Sequence, residues 1–174
     1  MLKTRRLVFF SLFVTLATAL GFLELLLPNP FPLPGVKLGL ANIVTLLVLY
    51  VYGTKDGLAV ALLRVFFASL LSGTFLSVSF MLSLSGAVLS TLFMAFFIRF
   101  LPALSIIGVS MVGAVSHNVG QLLTASFLIQ TPYIFYYLPV LLLAGLPTGL
   151  ATGFLARLLL RYLPEIKTNS YKNN

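Results

Sequence analysis

The sequence predicts an all-α, polytopic membrane protein: a bundle of six transmembrane helices with its N-terminus and C-terminus cytoplasmic. Three observations lead there. Of 174 residues, 60% are in the AVILMFWYC set, only 8% are charged, and the mean hydropathy is +1.10. A soluble domain carries about a quarter charged residues, so ordinary globular and disordered classes are excluded. The apolar residues fall into six runs, and a transmembrane helix takes roughly 20 residues, which leaves no room for a sizeable soluble domain. Finally, the basic residues are distributed unevenly. With the N-terminus inside, the cytoplasmic segments hold nine of them (Lys3, Arg5, Arg6, Lys55, Arg99, Arg157, Arg161, Lys167 and Lys172) and the outside loops hold only Lys37. Basic residues in short loops stay cytoplasmic. The formal charge of +8 therefore reads as topology and not as a nucleic-acid footprint.

The first run, Leu7 to Leu27, follows Lys3, Arg5 and Arg6. The basic start and Ala17-Thr18-Ala19 allow a signal-peptide reading, but the apolar run continues past the small residues and more spans follow. The proline-rich stretch from Pro28 to Pro34 comes next, either a stiff connector or a lid. The second span runs from about Leu38 to Tyr52 and ends in Gly53-Thr54-Lys55-Asp56-Gly57, read as a tight turn. The third covers Leu58 to Leu71 and is separated by Ser72-Gly73-Thr74 from the fourth, Leu76 to Phe100. Pro102 marks the next break, and the fifth span runs from Ile106 to Ile129. It ends before Thr131-Pro132, where proline disfavours helix in the preceding residue. The sixth runs from Tyr136 to Tyr162. The domain reading is one membrane domain over residues 1–164 and a polar cytoplasmic tail over 165–174.

Function is sought among polar groups inside the membrane, where charge is costly and faces a partner or a cavity. Arg64 lies mid-way along the third span, too deep to snorkel. It either glues helices through an ion pair, with Glu24 the nearest acidic candidate, or contacts a ligand. Ser116-His117-Asn118-Val119-Gly120-Gln121 lies at and just outward of mid-depth in the fifth span, with His117 and Gln121 on one face. Interhelical hydrogen bonding and ligand contact both fit these residues. The outer half thus collects Glu24, Lys37, Asn42, Thr74, Asn118 and Gln121 above Arg64 and His117, a pocket open to the outside. Gly145, Gly149 and Gly153 recur every four residues, as helix-packing positions do. Ala17 and Gly21 show the same spacing on the first span, where a groove for another membrane protein is the functional reading.

Zero cysteines and one histidine remove thiolate and multi-histidine metal sites. Magnesium held against a diphosphate needs several oxygen ligands, and the chain has a single aspartate, Asp56. No Gly-x-x-x-x-Gly-Lys-Ser/Thr loop is present, so an ATP-driven step must come from partners. No cofactor, metal or catalytic residue is implied; His117 as a lone base lacks a second catalytic group.

Four blocks carry a family resemblance: PGVKLGLANIVTLLVLYVYG (Pro34 to Gly53), LLRVFFASLLSGTFLSVSFMLSLSGA (Leu62 to Ala87), IGVSMVGAVSHNVGQL (Ile107 to Leu122) and YLPVLLLAGLPTGLATGFLA (Tyr137 to Ala156). Together they resemble the Gx transporter family, also catalogued as heptaprenyl diphosphate synthase component I. That family is grouped with the S components of energy-coupling factor (ECF) transporters, six-helix proteins of the bacterial plasma membrane. The resemblance implies capture of a small vitamin-like or isoprenoid/quinone-related molecule, and partnership with a coupling transmembrane protein and two ATPase subunits. The single aspartate and the lack of a second catalytic group argue against the enzyme activity in the older label; the alternative is a non-catalytic membrane partner or substrate-delivery protein for prenyl diphosphate or quinone synthesis. S components often carry Ala-xxx-Ala on the first helix for docking the coupling protein, where this chain has Ala17-xxx-Gly21. The substrate-binding set expected on this reading is Lys37, Asn42, Arg64, Thr74, His117, Asn118 and Gln121.

Overall fold

The computed structural model describes residues 2–26 and 39–162. Among them the chain forms six α-helices: α1 (Leu2–Leu26), α2 (Leu40–Tyr52), α3 (Thr54–Leu71), α4 (Val78–Phe100), α5 (Ile106–Ile129) and α6 (Leu138–Arg161), with a short 3₁₀ helix (Pro132–Tyr137) leading into α6. All-helical architecture is what lipid demands, because backbone groups must be satisfied within each segment. Helices α1, α4, α5 and the stretch through α6 are long and apolar enough to cross a membrane. Many of their large apolar side chains point outward, Phe127 at 82% exposure and Leu143 at 74% among them, as on a lipid-facing surface. Tyr133 and Tyr136 stack with centroids 6.3 Å apart at the start of the α6 stretch, and exposed Tyr162 ends it. Such placement suits the two membrane interfaces.

Helix α2 has 13 residues. At 1.5 Å per residue it reaches only about 20 Å, short of the ~30 Å apolar core. It joins α3 through a single residue, Gly53, at φ 89. Here the structure corrects the sequence reading of a five-residue turn. Thr54, Lys55, Asp56 and Gly57 are already the first turn of α3, and the Gly57 amide donates to the Gly53 carbonyl at 3.0 Å. Gly57 is required by packing: a Cβ there would lie 2.5 Å from Leu49 Cδ2. Asp56 sits favourably at the positive end of α3 and pairs with Arg6 of α1.

The turn between α3 and α4 is longer than expected. Ser77 caps α4 by accepting from the Phe80 amide, so the helix begins at Val78 and not at Leu76. Within this turn Gly73 and Leu76 both take positive φ, 67 and 61.

Glycines weld α4, α5 and α6 together. A Cβ on Gly120 of α5 would meet the Ser85 carbonyl oxygen of α4 at 2.9 Å, and Ser85 Oγ donates to the Gly120 carbonyl at 3.1 Å. On the other side of α5, Cβ atoms on Gly149 and Gly153 of α6 would meet backbone Cα atoms of Met111 and Ile107 at 2.9 and 2.8 Å. Close approach at small residues is how helices adhere where burial in lipid supplies no net drive. On α1, by contrast, Ala17 is fully buried and Gly21 faces Ala41 and Ala68 at ordinary contact distances. Ala17 and Gly21 thus help seat α1 against α2 and α3.

Candidate functional site

The cavity lies between all six helices. Its volume, measured at the centres of water-sized spheres, is about 100 Å³, room for more than an isolated water. Asn42, Arg64, Thr74, His117 and Asn118, five of the residues expected from the sequence, line it together. Glu24 lines it too. Gln121, one turn further along α5 from His117, is buried at 6% exposure but is not among the lining residues, and its Oε1 has no hydrogen-bond partner among the described residues. Lys37 and the proline-rich stretch 28–34 lie outside the described residues, as does the tail 165–174.

The α2–α3 hairpin sets the depth of the central pair. Asn42 and Arg64 stand equally far along their helices from the Gly53 turn, about 16 Å at the helical rise. That is about half the ~30 Å apolar thickness. At this shared height Arg64 Nη2 donates to Asn42 Oδ1 at 2.6 Å. The side chain is 8% exposed, and its Nε is buried with no hydrogen-bond partner among the described residues. The Glu24 charge acts on the guanidinium, while Glu24 Oε1 accepts from the Gly39 amide at the start of α2. A carboxylate is favourable there because the helix N-terminus is the positive end of its dipole.

On the opposite wall, His117 packs against α4 where Gly86 leaves space: a Cβ on Gly86 would lie 2.8 Å from the imidazole Nε2. Asn118 Nδ2 donates to the Leu141 carbonyl of α6 at 2.9 Å, so Asn118 ties α5 to α6 as well as lining the cavity. Gly145 and Gly149 both pack and line; Gly153 only packs, with Ser110 and Thr152 hydroxyls bonded at 2.9 Å nearby. Sequence reasoning missed a set of lining hydroxyls: Ser69, Ser79, Ser83, Thr148 and Thr152. The signal was present. Ser79, Ser83, Gly86 and Ser90 recur at helical spacing on one face of α4, and Gly145, Thr148, Gly149 and Thr152 do so on α6.

A family model described as heptaprenyl diphosphate synthase component I matches residues 13–159, well over half of the chain. The chain belongs to this family. Every lining residue of the cavity falls within the stretch that matches the heptaprenyl diphosphate synthase component I model. That description names one component of a synthase. No curated protein and no solved structure matches the chain.

Proposed function

We propose that this chain is a substrate-capture subunit of the bacterial plasma membrane, S-component-like, with both termini cytoplasmic and its cavity opening outward. The observation that carries the reading is a cavity at mid-depth, built from all six helices, holding a buried arginine with unused hydrogen-bonding capacity. A helix-gluing arginine would consume its donors on neighbouring helices; Arg64 keeps Nε without a partner among the described residues. The lining carries donors and acceptors suited to recognition and no constellation suited to bond breaking. Capture leaves the energetic step to a coupling transmembrane protein and two ATPase subunits, which would move the whole loaded subunit.

The test is retention of a small molecule by the purified protein. The full chain in detergent is incubated with a deproteinised extract of its source cells, washed, denatured, and its released molecules identified by mass spectrometry. Near-stoichiometric release from the wild type and loss on filling the cavity with Ser83→Phe is the expected result; an empty, folded wild type overturns capture.

The family description favours a second reading, a non-catalytic partner or substrate-delivery protein for prenyl diphosphate or quinone synthesis. Purification from native membranes separates the two. ATPases and a coupling protein in the complex support transport, and a prenyl diphosphate synthase supports delivery.

A further inference from the structure

We infer that the cavity takes a small hydrophilic anion whose carboxylate or phosphate group binds Arg64, and not a polyprenyl chain. The inference rests on the capture reading above and names the chemistry of its ligand.

Three features of the cavity converge. The first is the state of Arg64. It is more than nine-tenths buried, lines the cavity, and spends Nη2 on Asn42 while Nε has no partner among the described residues. A guanidinium cannot give up its proton in a protein and presents its donors as a planar fork, so a planar or tetrahedral oxyanion is the group that fits its unused edge. The second is the placement of Glu24. This carboxylate accepts from the Gly39 amide at the start of α2, so it serves the positive end of that helix as well as the field at Arg64. The third is the character of the remaining wall. Hydroxyls of Ser69, Ser79, Ser83 and Thr148 share the lining with glycines and alanines, and Phe80 is the one Phe, Tyr or Trp among the described lining residues. Hydroxyl groups donate and accept, which suits a ligand rich in hydroxyls, amides or further oxygens. A long isoprenoid would need an extended wall of large aliphatic side chains, whereas the described lining offers only Val65 and Met94 beside Phe80.

The test uses unaltered protein first. A deproteinised small-molecule extract is divided on an anion exchanger into retained and flow-through fractions, and each is added to the detergent-purified full chain while its melting temperature is followed. A ligand that binds only the folded state raises it. The expected result is stabilisation by the retained fraction, weakened about 10- to 100-fold in apparent affinity by Arg64→Gln, as loss of a charge-assisted hydrogen-bonded contact implies. Arg64→Lys, which keeps charge and loses the fork, falls between. Phosphatase treatment of the retained fraction distinguishes the two headgroups: loss of the shift identifies a phosphate ester, and persistence a carboxylate. Stabilisation by the flow-through fraction alone overturns the anion and leaves capture standing. Stabilisation by the retained fraction that is undiminished in folded Arg64→Gln overturns the assignment to Arg64. No stabilisation by either fraction overturns capture itself, and the anion inference with it.

Discussion

Gly120→Ala and Gly21→Ala are the same chemical change on two helices, and the structure gives them opposite signs. Replacing a helical glycine by alanine gains about 0.5–1 kcal/mol from lost backbone freedom in the unfolded chain. At Gly21 the new methyl would sit 3.6 Å from Ala41 Cβ and 3.9 Å from Ala68 Cβ, ordinary contact distances, so the gain stands. At Gly120 it would meet Ser85 O at 2.9 Å, Gly86 Cα at 3.0 Å and the Ser85 carbonyl carbon at 3.1 Å. All three are backbone atoms, so relief requires α4 and α5 to separate along their length, which also stretches the Ser85 to Gly120 hydrogen bond. Overpacking of this kind costs about 1–3 kcal/mol, leaving Gly120→Ala less stable by about 0.5–2 kcal/mol after the backbone gain. A difference of 1 kcal/mol moves the melting temperature by roughly 2–4 °C in a chain of this size. Thermal unfolding of the two variants in one detergent, followed by circular dichroism, reads the difference directly. A Gly120→Ala protein as stable as wild type, beside a destabilised Gly21→Ala, would refute the assignment of α4–α5 as the rigid contact and α1 as the looser one.

Asn42→Ala removes the acceptor of Arg64 Nη2 and should cost about 1–3 kcal/mol, the penalty of a buried donor left without its partner; chemical or thermal unfolding checks it, and Asn42→Asp should lose less. Leu76→Gly relieves an exposed leucine held at φ 61 and should stabilise the turn by about 1 kcal/mol, whereas Gly73→Ala at φ 67 should do the reverse in the same assay. Because the chain has no cysteine, single-cysteine variants report topology without background: Lys55→Cys and Ser105→Cys should react with a membrane-impermeant maleimide only after the cells are opened, and Tyr133→Cys in intact cells. The opposite pattern would invert the cavity's opening and defeat outward capture.

The helix ends were legible where composition changes abruptly. Ile106 to Ile129 was bounded by the break at Pro102 on one side and Thr131-Pro132 on the other, and the structure keeps those limits, with Ser105 as the helix cap. The Gly53 to Gly57 segment misled because glycine signals a turn and an intimate packing position alike; only the proximity of Leu49 tells which role Gly57 plays. Arg64, Asn42 and His117 could be singled out because polar groups are rare in the apolar runs. The inward direction of Ala17 and Gly21 could not, since small residues are compatible with lipid, partner and core equally. The hydroxyls on α3 and α6 escaped because serine and threonine satisfy themselves on their own helix: Ser69 donates to Phe66 O and Thr148 to Gly145 O. A sequence pattern does not separate such residues from inert ones until a neighbouring helix supplies the other wall.

The hairpin that carries Asn42 and Arg64 has a bearing on how the protein is made. Asn42 precedes Arg64 in the chain, and one glycine joins their helices. The arginine's acceptor has therefore already emerged from the ribosome when the arginine does, whereas α4, α5 and α6, which complete the cavity, have still to emerge. A lone central arginine raises the cost of inserting a helix by about 2.5–3.5 kcal/mol at the translocon. With its bond to Asn42 formed inside the hairpin, the charge can enter lipid as half of a pair, and α2, too short to span alone, crosses as the companion of α3. On this account Asn42 assists membrane insertion as much as it serves the finished cavity, and the yield of membrane-integrated protein, separate from its stability once folded, is where its loss would first be felt.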